Sequence, residues 1–205
     1  MNAQPPDDRD ERALRDPSEV MPPAFWAFHE LYHQAYFEYA QVQLGDKVSA
    51  DRLVDSTFVF LAVVWHKVTA KENPGAFAWT LLKERVASEL EAQGRDPAGS
   101  QTLAFERAIR AACDPILDSF REEFRAQVTE LEDGLGLYAA MARLPERQFD
   151  VMVLQFALGF PTKRAALVMG ICEATVRSTR RAAKRRLAAD LGLEIDEIGD
   201  VDDEE

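Results

Sequence analysis

Histidine and cysteine are scarce in this chain of 205 residues, which holds three of the first and two of the second. Cys113 and Cys172 have no CxxC spacing and no His/Cys neighbour at ligand distance, so a zinc-ribbon fold is excluded and two reduced thiols in a cytoplasmic protein are expected. There is no glycine-rich phosphate loop, no nucleophile triad and no convincing pair of carboxylates, so neither an enzyme nor a cofactor or metal is expected. The longest unbroken apolar run, Phe58 to Trp65, falls far short of the roughly 20 residues that span a bilayer, so no membrane partner is expected. Residues 1–23 lack the basic start and apolar centre of a secretory signal; they are acidic, polar and proline-containing, the composition of a disordered arm. Internal repeats and period-two strand patterns are also missing. The class that remains is all-α.

What is present is concentrated between Leu144 and Leu187. Pro145 suits the first turn of a helix, because the N–H it lacks would be unpaired there anyway. Phe149, Val153 and Phe156 recur at three- and four-residue spacing, which predicts a helix over 146–158 that Gly159 and Pro161 stop. A short second helix runs from Thr162 to Met169, with Ala165, Ala166 and Met169 where two helices would cross closely. Gly170 supplies the positive φ of a sharp turn, and Ile171 plugs the corner. Glu173 and Thr175 open a third helix to Leu187, with Val176, Ala183 and Leu187 facing inward. The pattern is that of a helix-turn-helix.

Charge gives the pattern a direction. The chain as a whole carries −12, yet between Arg143 and Asp190 ten Lys/Arg stand against four Asp/Glu. A basic run on a helix is commonly a solvated face; on a helix-turn-helix it points to nucleic acid. The acidity lies elsewhere, in residues 1–142 and in the last fifteen residues, which hold eight acids and no base.

Upstream, Phe25, Phe28, Leu31, Tyr32, Tyr36 and Tyr39 form an aromatic stripe on a helix ending near Gly45. A second helix starting at Ser49 or Asp51 carries Leu53, Val54, Phe58, Leu61 and Trp65; it turns apolar all round and is expected to be buried. After the Asn73-Pro74-Gly75 break a third helix carries Phe77, Trp79, Leu82, Val86 and Leu90. The organisation expected is an arm (1–23), a helical domain (24–93), a linker with helical segments interrupted at Pro115 (94–130), the helix-turn-helix domain (131–191) and an acidic tail (192–205). Two small helical domains are thus joined by a helical linker long enough to let them splay apart or pack together.

Two segments, in order, resemble the sigma-70 family, specifically its short extracytoplasmic-function (ECF) group. FWAFHELYHQAYFEYAQVQLGDKVSADRLVDSTFVFLAVV and then PGAFAWTLL are similar to region 2, and LPERQ with GICEATVRSTRRAAKRRL is similar to region 4. The two domains that hold these segments, 24–93 and 131–191, cover about two-thirds of the chain. The resemblance implies a subunit that joins core RNA polymerase and promoter DNA. Its first domain would dock on the β′ coiled coil and open the −10 element; its second would read the −35 element and touch the β flap. An anti-sigma protein is a further partner the resemblance suggests. It also implies that Asp51, Arg52 and Asp55 flank the polymerase-binding face. They stand where the family usually has Glu-Asp and then Gln. KERVASEL departs further, lacking the Asn and the basic tail of the melting segment, so Lys83, Arg85 and Arg95 are the bases left there.

On the helix-turn-helix, base contacts need side chains near the start of the recognition helix, which selects Glu173, Thr175, Arg177, Ser178 and Arg181. Lys163, Arg164, Lys184 and Arg185 are placed to grip phosphates. Two rivals remain open at this level. One is a sigma-derived helix-turn-helix regulator that binds DNA without polymerase. The other, remote, is a zinc peptidase built on His29, Glu30 and His33, which fit HExxH by spacing but have no second motif to supply a third ligand.

Overall fold

The computed structural model of the chain describes residues 21–95 and 135–192, and every described element is helical. The first unit holds α1 (Pro23–Leu44), α2 (Lys47–Val63), the short α3 (Trp65–Thr69) and α4 (Pro74–Ala92). The second holds α5 (Leu135–Ala142), α6 (Glu146–Met152) with a π-helical turn (Val153–Ala157), α7 (Thr162–Met169) and α8 (Glu173–Asp190). The arm up to residue 20, the expected linker from 96 through 134 and the tail from 193 lie outside the described residues.

Local chemistry sets the boundaries. α1 ends at Gly45, whose φ of 70° lets its N–H turn back to Gln41 O at 2.8 Å. α2 begins at Lys47, earlier than Ser49 or Asp51, because Asp46 is the cap: its carboxylate accepts from the Ser49 N–H at 2.7 Å. Asn73 caps α4 likewise, accepting from the Ala76 N–H at 2.9 Å.

The expectation that α2 is buried all round towards its end needs correction. The helix breaks at Val64, and the new helix turns Trp65 inward while leaving Val59 65% and Val63 75% exposed. Val48, Arg52, Asp55, Val59 and Val63 recur every three or four residues and so make one outward ridge. The inner face of the unit is the aromatic core expected: Phe58, Trp65 and Trp79 are all buried. Trp65 meets Phe25 edge-on at 5.3 Å, and Trp79 meets Tyr39 edge-on at 4.6 Å.

In the second unit, the helix expected over 146–158 is α-helical only to Met152. The Leu158 N–H reaches five residues back to Val153 O at 3.0 Å, widening the last turn. Val151, Met152, Val153 and Leu154, four successive residues across the change from α to π, are all fully buried. Of the domain expected to begin at 131, the described part opens with α5 at Leu135.

The units do not stand apart. Val151, Val153, Leu154, Ala165, Ala166, Val168, Met169 and Val176 share one hydrophobic core with α1, α2 and α4, and α7 lies against α4 and α1. Truncation inside this core is expensive and truncation on the α2 ridge is not. Leu61→Ala is expected to lower unfolding free energy in urea by about 3 kcal/mol, whereas the exposed Val63→Thr change should shift it by less than about 0.5 kcal/mol.

Candidate nucleic-acid interface

The helix-turn-helix is assembled as its residues dictate. Gly170 adopts φ 64°, its N–H capping α7, and the Ile171 N–H returns to Ala166 O at 3.0 Å. Cys172 is extended and caps α8, accepting at its carbonyl from the Thr175 and Val176 N–H groups. Val176, Ala183 and Leu187 are fully buried, so the inward stripe of α8 is the one the spacing indicates.

With that stripe inside, helical geometry sorts the remaining side chains. Ala174, Ser178, Arg181 and Arg185 follow one another along the outward ridge, opposite the buried stripe. Ser178 and Arg185 are exposed, and Arg181 is half-buried. Glu173 and Arg177 form one flank, paired with each other at 3.5 Å. Lys163, Arg164, Glu173 and Arg177 line a single shallow groove between α7 and the start of α8. Arg164 also lies over the Phe160 ring at 5.8 Å. Thr175 is on the other flank, with its hydroxyl oxygen 3.0 Å from Cys172 Sγ. Lys184 leans back over the Phe156 ring at 5.7 Å. Of the nine candidates, the structure therefore gathers four in the groove and three on the ridge beside it, while Thr175 and Lys184 face other neighbours.

Asp51, Arg52 and Asp55 are all exposed on α2, Arg52 and Asp55 within the ridge that carries Val59 and Val63. His33 Nε2 lies 3.3 Å from Asp55 Oδ1. His29 and His33 stack on each other with ring centroids 4.6 Å apart, and among the described residues no three His, Cys, Asp or Glu side chains gather to hold a metal. Burial first, and His33 second, hold the His29 imidazole below its ordinary pKa.

Sequence reasoning missed a second cluster. Asp150 is 1% exposed, yet it is a carboxylate. Tyr39 donates its hydroxyl to Oδ1 at 2.6 Å, and Lys83 donates Nζ to Oδ2 at 2.9 Å and to Glu146 Oε1 at 2.5 Å. Burial raises the Asp150 pKa against the opposing pull of Lys83 and Tyr39. Burial also disfavours the Lys83 ammonium, but the two carboxylates outweigh it and its pKa rises. Tyr39 is pushed well up by burial and by Asp150. The bases left in the melting-segment resemblance are all engaged within the molecule. Besides Lys83, Arg85 bonds Ser56 Oγ at 3.2 Å, and buried Arg95 donates to Leu44 O at 2.8 Å.

Residues 135–187 match the family model of sigma-70, region 4. Among solved structures, the chain is similar to the sigma factor RpoE in its co-crystal structure with the anti-sigma factor NepR from Bartonella quintana. Identity is 20% and the TM-score 0.39, over 85% of this chain and 100% of that one. No curated protein matches the chain.

The Thr175 hydroxyl at the recognition-helix start, with neighbouring backbone bonds, lowers the Cys172 thiol pKa. A lowered pKa puts more thiolate at neutral pH. The alkylation rate of Cys172, followed by peptide mass spectrometry, should therefore reach half its maximum at a lower pH than an ordinary thiol, and Thr175→Val should move that midpoint up.

Proposed function

We propose, from the premise that residues 135–187 are a sigma-70 region 4 domain, that the whole chain is an ECF-type sigma factor that carries core RNA polymerase to promoters. The observation that carries this reading is the coincidence of that match with a formed helix-turn-helix whose outward ridge and adjoining groove are basic. Arg185 and Lys163 are exposed positive charges suited to phosphates, which supply affinity and salt dependence. Arg177 and Ser178, in the first turns of α8, are suited to base edges in the major groove. Glu173 accepts from cytosine N4 when Arg177 turns away from it to guanine.

In the first unit, the ridge Val48–Arg52–Asp55–Val59–Val63 combines charge with uncovered apolar surface, as a polymerase-docking face requires. Asp51 lies beside it. The segment from Pro74 to Leu82, which resembles the later part of region 2, is the one we assign to the −10 element. Core polymerase, through its β′ coiled coil and β flap, and promoter DNA are thus the partners of this reading. An anti-sigma protein is a further one; RpoE, the solved neighbour, is itself in complex with NepR. Internal engagement of Lys83, Arg85 and Arg95 favours, as the second reading, a regulator that reads duplex DNA through the helix-turn-helix alone.

Purified chain mixed with core RNA polymerase should co-elute with it and direct transcription from a pre-melted promoter; a chain that binds duplex DNA but never joins the polymerase supports the second reading. Within the interface, Arg185→Ala should weaken binding to all duplexes alike and reduce the slope of log affinity against log salt by about 1. Arg177→Ala should instead relax preference at one base position, costing about 1–3 kcal/mol on the preferred duplex. Competition binding on a randomised duplex pool reads both.

A further inference from the structure

The two units meet along α4, tightly at one end of that helix and loosely at the other. At its start Asn73 Nδ2 donates to Gly170 O at 2.8 Å. A Cβ built on Gly170 would come within 2.3 Å of the Ala76 nitrogen, so no side chain separates the two backbones there. Further along, the facing residues leave a cleft of about 310 Å³. Val86 and Leu90 of α4, Leu144 and Phe149 of the second unit, and Gln43 of α1 line it, with Lys83 beside them. Its size is at the lower end of small-molecule sites, and it shares their make-up, an apolar wall with a few polar groups.

From this cleft we infer a binding site for a small neutral molecule that has an apolar body and a carbonyl oxygen. The inference stands on the geometry alone and does not need the sigma-factor reading. Gln43 is 6% exposed, and among the described residues its Nε2 has no hydrogen-bond partner. Of the buried side-chain polar atoms left in that state, it is the one that lines the cleft. Burial and Asp150 push the Tyr39 pKa well up, and Gln43 offsets them only slightly. Its amide nitrogen thus stands near the Tyr39 hydroxyl without the geometry of a hydrogen bond. A buried donor without an acceptor is costly, and a ligand oxygen in the cleft removes that cost.

Lys83 supplies a second donor. Its ammonium carries three N–H groups, of which Glu146 and Asp150 take two. Both donors call for an acceptor, which excludes a purely apolar or cationic occupant. The charge around them excludes an anion: two carboxylates flank one ammonium, so the excess is negative. The oxygen of an amide, ketone or ester meets both conditions. Water fits less well, because an ordered water needs two to four polar partners and most of this wall is apolar. The space equals about ten waters at roughly 30 Å³ each, which suits a ligand of about ten to fifteen non-hydrogen atoms.

The amide 4-ethylbenzamide is a probe of this class and size, and 4-ethylbenzoate is its anionic isostere. Titrated into the full-length chain and followed by NMR, the amide should bind with a Kd of about a millimolar or below. The benzoate should bind at least about fivefold more weakly. Gln43→Leu, which keeps the bulk and removes the donor, should weaken the amide by about fivefold. Ala87→Leu fills the cleft from a half-buried position on its wall and should abolish binding of the amide, with circular dichroism showing the helices intact. No binding by the unaltered chain up to the solubility of the amide overturns the site. Binding that survives Ala87→Leu overturns its location, and unchanged affinity in Gln43→Leu overturns the donor assigned to it. Each variant decides its own point, so one that fails to fold leaves the other and the unaltered chain to judge the proposal. A benzoate that binds as tightly as the amide overturns the chemistry given to the ligand.

Discussion

A carboxylate with almost no access to water organises this molecule. Asp150 sits on the helix that precedes the helix-turn-helix, and its two oxygens are satisfied by a tyrosine and a lysine from the other unit. Taking a carboxylate out of water costs several kcal/mol unless charge and hydrogen bonds replace the solvent. Those replacements come from α1 and α4, so the position of α6 relative to them is dictated by electrostatics as well as by apolar packing. Removing one partner leaves a buried charge uncompensated, which is why such a contact is specific in register even where its net worth is small.

Apolar contacts then extend what the carboxylate begins. α7 packs its small face, Ala165 and Ala166, where a larger side chain would hold the helices apart, and Val168 and Met169 complete the shared core. The helix before it adds four consecutive fully buried residues, Val151, Met152, Val153 and Leu154. Against this closed body, the surfaces given to partners are those that packing leaves alone: the ridge of α2, and the ridge and groove of α8 and α7.

Much of this was legible from residues alone, and the reasons are local. Helix α8, its buried stripe of Val176, Ala183 and Leu187, and the positive φ of Gly170 follow from spacing and from the conformational freedom of one glycine. The aromatic core of Phe58, Trp65 and Trp79 follows from size and apolarity. What escaped was set by partners distant in the chain. Nothing near Asp150 marks it as buried, since its companions are 111 and 67 positions away. Val59 and Val63 read as core because they lie in an apolar run, and only the break at Val64 shows that the run changes face. Lys184 and Thr175 have the right composition for DNA, but a phenylalanine ring and a cysteine sulfur lie against them here.

Gly170 answers to two demands at once. Its left-handed backbone makes the corner of the DNA-reading motif, and its missing Cβ lets that corner rest on Ala76. Either demand alone leaves some latitude, since asparagine tolerates the first and any small residue in an ordinary conformation would ease the second. Together they leave none, so the corner and the start of α4 form one inheritance unit. Drift at either place must be matched at the other, and a transplanted helix-turn-helix would bring its own corner into a seat not shaped for it.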